Sequence, residues 1–222
     1  MNVRVTRFID GAREARGRAV IVDVFRAFTA AAFCVAAGAR EVVLLADHEQ
    51  ALALKAAAPT LFLTGEIGGR PIPGFDVGNS PSAIEGRDLG GRRVVQRTSA
   101  GTQGVAAATA ADEILLGSLV IAGATTRYLT SRPGDVTIVA IGHRAEEPSD
   151  EDDAGAEFLA ALLRGERATL RSIRLEGDHD PAGWPDWFPR RDAELALQVD
   201  RFDFALPVTR EGGLLVARPV FA

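Results

Sequence analysis

Residues 19–24, AVIVDV, run directly into Phe25-Arg26 and then into an alanine-rich stretch at 27–37 that stops at Gly38. The first segment carries β-branched residues on both of its alternating faces, as a strand buried on both sides does. The second has helical length with a glycine just past its end. A strand that feeds a helix is half of a crossover unit, and the pattern recurs. Residues 41–45 read as a second strand, followed by a helix opened by Asp47 with Gln50 three residues on, a capping-box pattern. Residues 61–64, 93–96 and 113–116 read as further strands, with a helical run at 103–110. A helix at 121–131, a long buried strand at 135–141 (DVTIVAI) and a helix at 153–164 ending at Gly165 complete the series. Apolar strands separated by helices imply an α/β fold with a largely parallel sheet covered on both sides.

After Gly165 the texture changes. Residues 176–191 combine Pro181, Pro185 and Pro189 with Trp184 and Trp187, which reads as a surface excursion with aromatic anchors. A helix at 192–199 and a hairpin pairing 202–205 with 214–217 around Gly212-Gly213 are expected beyond it. No internal repeat or low-complexity linker is visible. Residues 1–222 therefore read as one domain, with 165–222 as its C-terminal excursion.

Composition narrows the function classes. The chain has 222 residues, 47% apolar and 25% charged, enough for a sizeable core. Its longest nearly uncharged stretch, 24–39, contains Arg26 and is shorter than the ~20 apolar residues of a membrane span. Residues 1–18 are charged throughout, so no secretory signal and a cytoplasmic location are expected. A net charge of −5 without a basic run argues against nucleic acid. The single cysteine, Cys34, excludes an intramolecular disulfide and cysteine-based metal clusters. Lys55 is the one lysine and has no glycine-rich loop before it, so a Walker phosphate loop is absent and a pyridoxal enzyme is disfavoured.

Open α/β sheets bind ligands at the carboxyl ends of their strands. There the chain carries Asp23 and Arg26, then Gly65-Glu66 and Arg70, then Asp76, Asn79 and Ser80. Further on come Thr98-Ser99-Ala100-Gly101-Thr102, then Ser118, then His143-Arg144 and the acidic stretch 146–153 with Glu151 and Asp152. Each has a structural alternative. Asp23 could cap a helix with Arg26 as its ion-pair partner, residues 98–102 could be a plain turn capped by Thr102, and 146–153 a solvated loop. His143 and Cys34 read as structural. The spacing of a nucleophile elbow is missing, since Arg97-Thr98-Ser99-Ala100-Gly101 lacks the first glycine and Gly78-Asn79-Ser80-Pro81-Ser82 the last. What remains is an anion site rich in arginine and carboxylate. Paired carboxylates suit Mg²⁺, and arginines with backbone amides suit phosphate or sulfonate.

Several motifs occur in a telling order: Val22-Asp23-Val24-Phe25-Arg26-Ala27-Phe28-Thr29, Gly65-Glu66-Ile67-Gly68-Gly69, Gly74-Phe75-Asp76-Val77-Gly78-Asn79-Ser80-Pro81, Arg97-Thr98-Ser99-Ala100-Gly101-Thr102-Gln103-Gly104 and Gly117-Ser118. With Ser149-Asp150-Glu151-Asp152-Asp153-Ala154-Gly155 and the tail Val199-Asp200-Arg201-Phe202-Asp203-Phe204, the chain resembles the 2-phosphosulfolactate phosphatase family. The resemblance implies a three-layer α/β/α fold and Mg²⁺-dependent removal of phosphate from 2-phospho-3-sulfolactate, a step in coenzyme M biosynthesis. The chain departs from the family at Ile67, where arginine is common, at Ala100, where asparagine is usual, and across Gly142-His143-Arg144-Ala145.

On this reading Asp23, Arg26, Glu66 and Asp76 are the expected catalytic residues, and Asp23, Glu66, Asp76, Glu151 and Asp152 supply the Mg²⁺ ligands. Arg70, Asn79, Ser80, Thr98, Ser99, Gly101, Thr102 and Ser118 are expected to hold the phosphorylated, anionic small-molecule substrate. Direct water attack and a covalent aspartyl-phosphate on Asp23 both remain open, as does a homo-oligomeric state. The alternative from another class is a non-catalytic anion-binding or regulatory protein that keeps the fold.

Overall fold

A computed structural model of the chain describes residues 1–174 and 187–221. In chain order its elements are β1 (Val3–Arg7), α1 (Phe8–Glu14), β2 (Arg18–Val22), α2 (Ala27–Ala36), β3 (Glu41–Leu45), α3 (His48–Ala57), β4 (Phe62–Ile67) and β5 (Arg70–Pro71). They continue with α4 (Pro81–Ile84), β6 (Arg93–Arg97), α5 (Gly101–Ala107), β7 (Glu113–Gly117), a 3-10 turn (Leu119–Ile121) and α6 (Ala122–Thr130). The last are β8 (Val136–Ala140), α7 (Asp150–Leu163), α8 (Arg190–Ala196), β9 (Leu206–Glu211) and β10 (Leu214–Ala217).

The strands form one sheet in the order β1-β8-β2-β7-β9-β10-β3-β6-β4-β5. Its two main sets, β1-β8-β2-β7 and β3-β6-β4, are each parallel within themselves. Between them sits the C-terminal hairpin β9–β10, antiparallel to both neighbours. Two reversals at β9 and β10 and a third at β3 mean that the second set runs opposite to the first along the sheet.

Curvature then brings the two sets face to face. Helix α5 packs on both β2 and β3, which lie four strand spacings apart, ~19 Å on a flat sheet. A helix about 10–12 Å across reaches both only if the sheet folds around it. Inside the curve, Ile21, Val42, Leu44, Phe62 and Val94 form one core with side chains of α1, α2 and α5. Outside it, Val20, Val22 and Ile138 meet α6 and α7, and Val43, Leu63 and Val95 meet α3. These are the three layers: inner helices, sheet, outer helices. Helix α2 is apolar all round and buried on nearly every side, as its alanine-rich sequence requires.

Three details depart from the sequence reading. The charged N-terminus forms β1 and α1; Arg4 and Thr6 alternate with Val3, Val5 and Arg7 on an edge strand, and the two arginines hide the strand in a charge-rich segment. The second half of the acidic stretch 146–153 is the first turn of α7, where Asp150, Glu151, Asp152 and Asp153 meet the positive end of the helix dipole, while Glu146 and Glu147 stay in the loop before it. The hairpin pairs Glu211 with Leu214 across a tight Gly212-Gly213 turn, so its first strand is β9 and not 202–205. Trp184, Pro181 and Pro185 lie outside the described residues.

Candidate active site

A cavity of about 460 Å³ opens where the carboxyl ends of β2, β4, β6 and β8 converge. Asp23, Glu66, Glu151 and Asp152 line it together with Arg26, Arg70 and Arg144. Asn79, Ser99, Trp187 and Phe188 complete much of its wall.

Asp23 lies just past β2, 5% exposed. One carboxylate oxygen accepts from the amide of Ala27 at 2.8 Å, capping α2. The helix-cap reading and the cavity-lining reading are therefore both true of this residue. A Cβ on Gly101 would stand 2.8 Å from the other oxygen, so glycine is what lets α5 approach the carboxylate. Burial and the charge of Glu66 push Asp23 up to about 6, against the Ala27 hydrogen bond. Glu151, in the first turn of α7, rises to about 7 through burial, with the charge of Asp23 adding to it. Asp152 is also held well above the ordinary carboxylate range, by burial and by the charges of Asp23 and Glu151. Its two oxygens accept from the amides of Val24 (2.7 Å) and Gly142 (3.0 Å), stitching the loop after β2 to the loop after β8. At Gly142, φ is 74° and a Cβ would sit 2.2 Å from the carbonyl oxygen of Glu147, so no side chain fits there.

Glu66 spends its carboxylate on local order: it accepts from the amide and hydroxyl of Ser99 and from the amide of Gly69. Arg26 is 4% exposed and pairs not with Asp23 but with Asp192 of α8, at 2.8 Å. It also donates to the carbonyls of Trp187 and Gly69, and its guanidinium stacks on Phe188, 4.0 Å from the ring centre. Burial lowers its pKa against the opposing pull of Asp192.

Of the residues singled out from sequence, Asp23, Arg26, Glu66, Arg70, Asn79, Ser99, Ala100, His143, Arg144, Glu151 and Asp152 share this cavity. The rest stand outside it. Asp76 is drawn to Lys55 (2.8 Å) and to the amide of Leu63, bracing β4 from behind. Ser80 caps α4 and donates to Asp192. The backbone amides of Thr98 and Thr102 each donate to the other residue's hydroxyl at the start of α5, so these hydroxyls are spent on the turn. Gly101 acts by its closeness to Asp23. Ser118 is buried, and its hydroxyl has no hydrogen-bond partner among the described residues. Asp192, Phe188 and Gly142 were not singled out. Asp192 lies in an ordinary polar helical stretch, Phe188 in a proline-rich one, and nothing local marks them. Among the described residues, no three carboxylates, imidazoles or thiolates converge as a ready-made metal centre.

Residues 7–176 match the family model described as 2-phosphosulpholactate phosphatase. The chain belongs to this family. A relative from Deinococcus radiodurans, named "Probable 2-phosphosulfolactate phosphatase", is 40% identical over 149 residues, covering 65% of this chain and 62% of that protein's length. Relatives with the same name from Carboxydothermus hydrogenoformans and Bacillus subtilis are 35% and 30% identical, covering 73% and 71% of this chain and 68% of each relative. The family match spans α1 to α7, and with them Asp23, Arg26, Glu66, Glu151 and Asp152. Asp192 and its helix lie beyond it.

Proposed function

We propose that this chain is a phosphoric monoester hydrolase acting on 2-phosphosulfolactate or a closely related 2-phospho-hydroxyacid, with Mg²⁺ as its metal. The observation that carries the reading is one cavity in which buried, mutually repelling carboxylates stand beside an arginine, in a chain of this family.

The donor set fits Mg²⁺. It is made of hard carboxylate oxygens, and Mg²⁺ is typically bound through one or two carboxylates plus substrate phosphate, so a three-ligand cage is not required. The oxygens of Asp152 and Glu66 are engaged by amides and a hydroxyl. Asp23 and Glu151, whose charges oppose each other at the cavity wall, are the residues assigned to hold the ion. Raised pKa values at both are what a site built for a missing positive charge displays before that charge is supplied. When bound, the ion supplies charge that polarises the phosphoryl oxygens and offsets negative charge in the transition state.

The chain's own groups do the remaining work. Arg26 has five N–H donors, of which the Asp192, Trp187 and Gly69 contacts use three. The Nε–H and one Nη2–H are left for phosphate oxygens, an arrangement lysine cannot reproduce. Asp23, as a carboxylate, serves as nucleophile or as base toward water. Arg70 and Arg144 at the exposed rim provide positive charge for the substrate's second anionic group. Ile67 is 44% exposed on the β4–β5 hairpin, and Ala100 presents a methyl to the cavity, so discrimination among second anionic groups falls to this rim.

Hydrolysis of phosphosulfolactate, phospholactate and phosphoglycolate, measured side by side with Mg²⁺ and with chelator, tests the reading. Mg²⁺-dependent release of phosphate from at least one is expected. Phosphate binding without turnover of any would establish the non-catalytic alternative instead.

A further inference from the structure

Asp192 is fully buried, and every hydrogen bond of its side chain leads to Arg26 or to the loop that follows β5. One carboxylate oxygen accepts from Arg26 Nη1 at 2.8 Å. The other accepts three bonds, from Ser80 Oγ (2.8 Å), the amide of Ser82 (2.9 Å) and Ser82 Oγ (2.6 Å). The Gly78-Asn79-Ser80-Pro81-Ser82 segment thus fixes one oxygen, and the carboxylate passes that fixed position on to Arg26. The same Nη1 also donates to the Trp187 carbonyl, and the guanidinium is stacked on Phe188. Trp187 itself lies where any side chain at position 69 would stand, since a Cβ on Gly69 would be 2.5 Å from its ring.

We propose that Asp192 is the positioning residue for Arg26: it holds the guanidinium at the cavity wall so that the Nε–H and the remaining Nη2–H face an incoming phosphate. The proposal rests on the reading that the cavity takes a phosphoryl group. It also assigns a task to two hydroxyl residues of the loop that do not line the cavity, and to a helix beyond the family match. The cost of a mobile arginine is large in principle, because a catalytic or binding group misplaced by about 1 Å loses about 10²-fold.

The test is orthophosphate binding to the full chain by calorimetry in the presence of Mg²⁺. In Asp192→Asn the three donors from Ser80 and Ser82 keep the amide oxygen in place. That turns the new NH₂ toward Arg26, donor against donor, while α8 keeps its anchorage. Phosphate affinity is expected to fall tenfold or more in Asp192→Asn and in Arg26→Ala, with no further loss in the double variant. The ¹H–¹⁵N signals of the Arg26 guanidinium, resolved when its rotation is hindered, are expected to broaden or vanish in Asp192→Asn. If that variant does not fold, Ser82→Ala, which removes one donor from Asp192, is expected to weaken phosphate several-fold, and again not at all in the Arg26→Ala background. Wild-type affinity in Asp192→Asn, additive losses in the double variant, or a wild-type chain that binds no phosphate would each overturn the proposal. A wild-type chain that binds phosphate, shows these losses and yet hydrolyses no ester would leave it standing and remove the phosphatase reading instead.

Discussion

Replacing Asp23 with asparagine separates its two roles. Asparagine keeps a carbonyl oxygen to accept from the Ala27 amide, so the cap on α2 survives. What disappears is a negative charge among Glu66, Glu151 and Asp152. A rise from 3.8 to about 6 means that the ionised form is disfavoured in the folded chain. At ~1.4 kcal/mol per pH unit, the penalty reaches about 3 kcal/mol as an upper value. It is fully present above about 6 and fades as the pH falls from there to the ordinary value of 3.8, the interval in which the folded chain holds the proton and the unfolded chain does not. In chelator at pH 8, Asp23→Asn is therefore expected to melt higher than wild type by several degrees, at roughly 2–4 °C per kcal/mol for a chain of this size. At pH 5 about half of this difference should remain, and the two melting temperatures should converge only below about pH 3.8. Turnover of the same variant with Mg²⁺ should be lost. Calorimetric melting at the two pH values, with phosphate release in parallel, decides the matter. An equal or lower melting temperature at pH 8, or the same gain at both pH values, would refute the charge argument. Turnover within a few-fold of wild type would remove Asp23 from the chemistry.

Arg26→Lys should lower kcat/KM by about 10² or more, since one ammonium cannot serve Asp192, two carbonyls and a phosphate together; a loss under tenfold would place Arg26 outside the reaction. Asp76→Asn should leave turnover within a few-fold and lower stability by about 1 kcal/mol in a denaturant titration, because its partners are Lys55 and the Leu63 amide; loss of turnover in a fully folded variant would return Asp76 to the site. At Mg²⁺ well below saturation, kcat/KM should fall below pH 6–7, where protons on Asp23 and Glu151 compete with the ion. Activity that stays flat down to pH 5 would exclude both as required carboxylates.

The local pattern of the chain marked most of its elements, because burial on both faces leaves a short, nearly continuous apolar run in strands such as β2 and β8, and an apolar surface all round in α2. It also placed Asp23, Arg26, Glu66, Glu151 and Asp152 at strand and helix ends, since chemistry gathers where a parallel strand stops. Strand pairing was another matter. Nothing within 206–217 says that the terminal hairpin enters the middle of the sheet and reverses its second half. Which strand takes that place depends on the packing of all the others. The same holds for individual side chains. Asp76 and Glu66 read alike in sequence, as acids after glycine or beside it, yet Lys55 draws one away and the Ser99 loop brings the other in. Arg26 sits three residues from Asp23 and pairs instead with Asp192, 166 residues on. A period reports which way a residue faces within its own element. Partners so distant along the chain leave no local trace, and only the closed fold, by burying both charges together, decides that they meet.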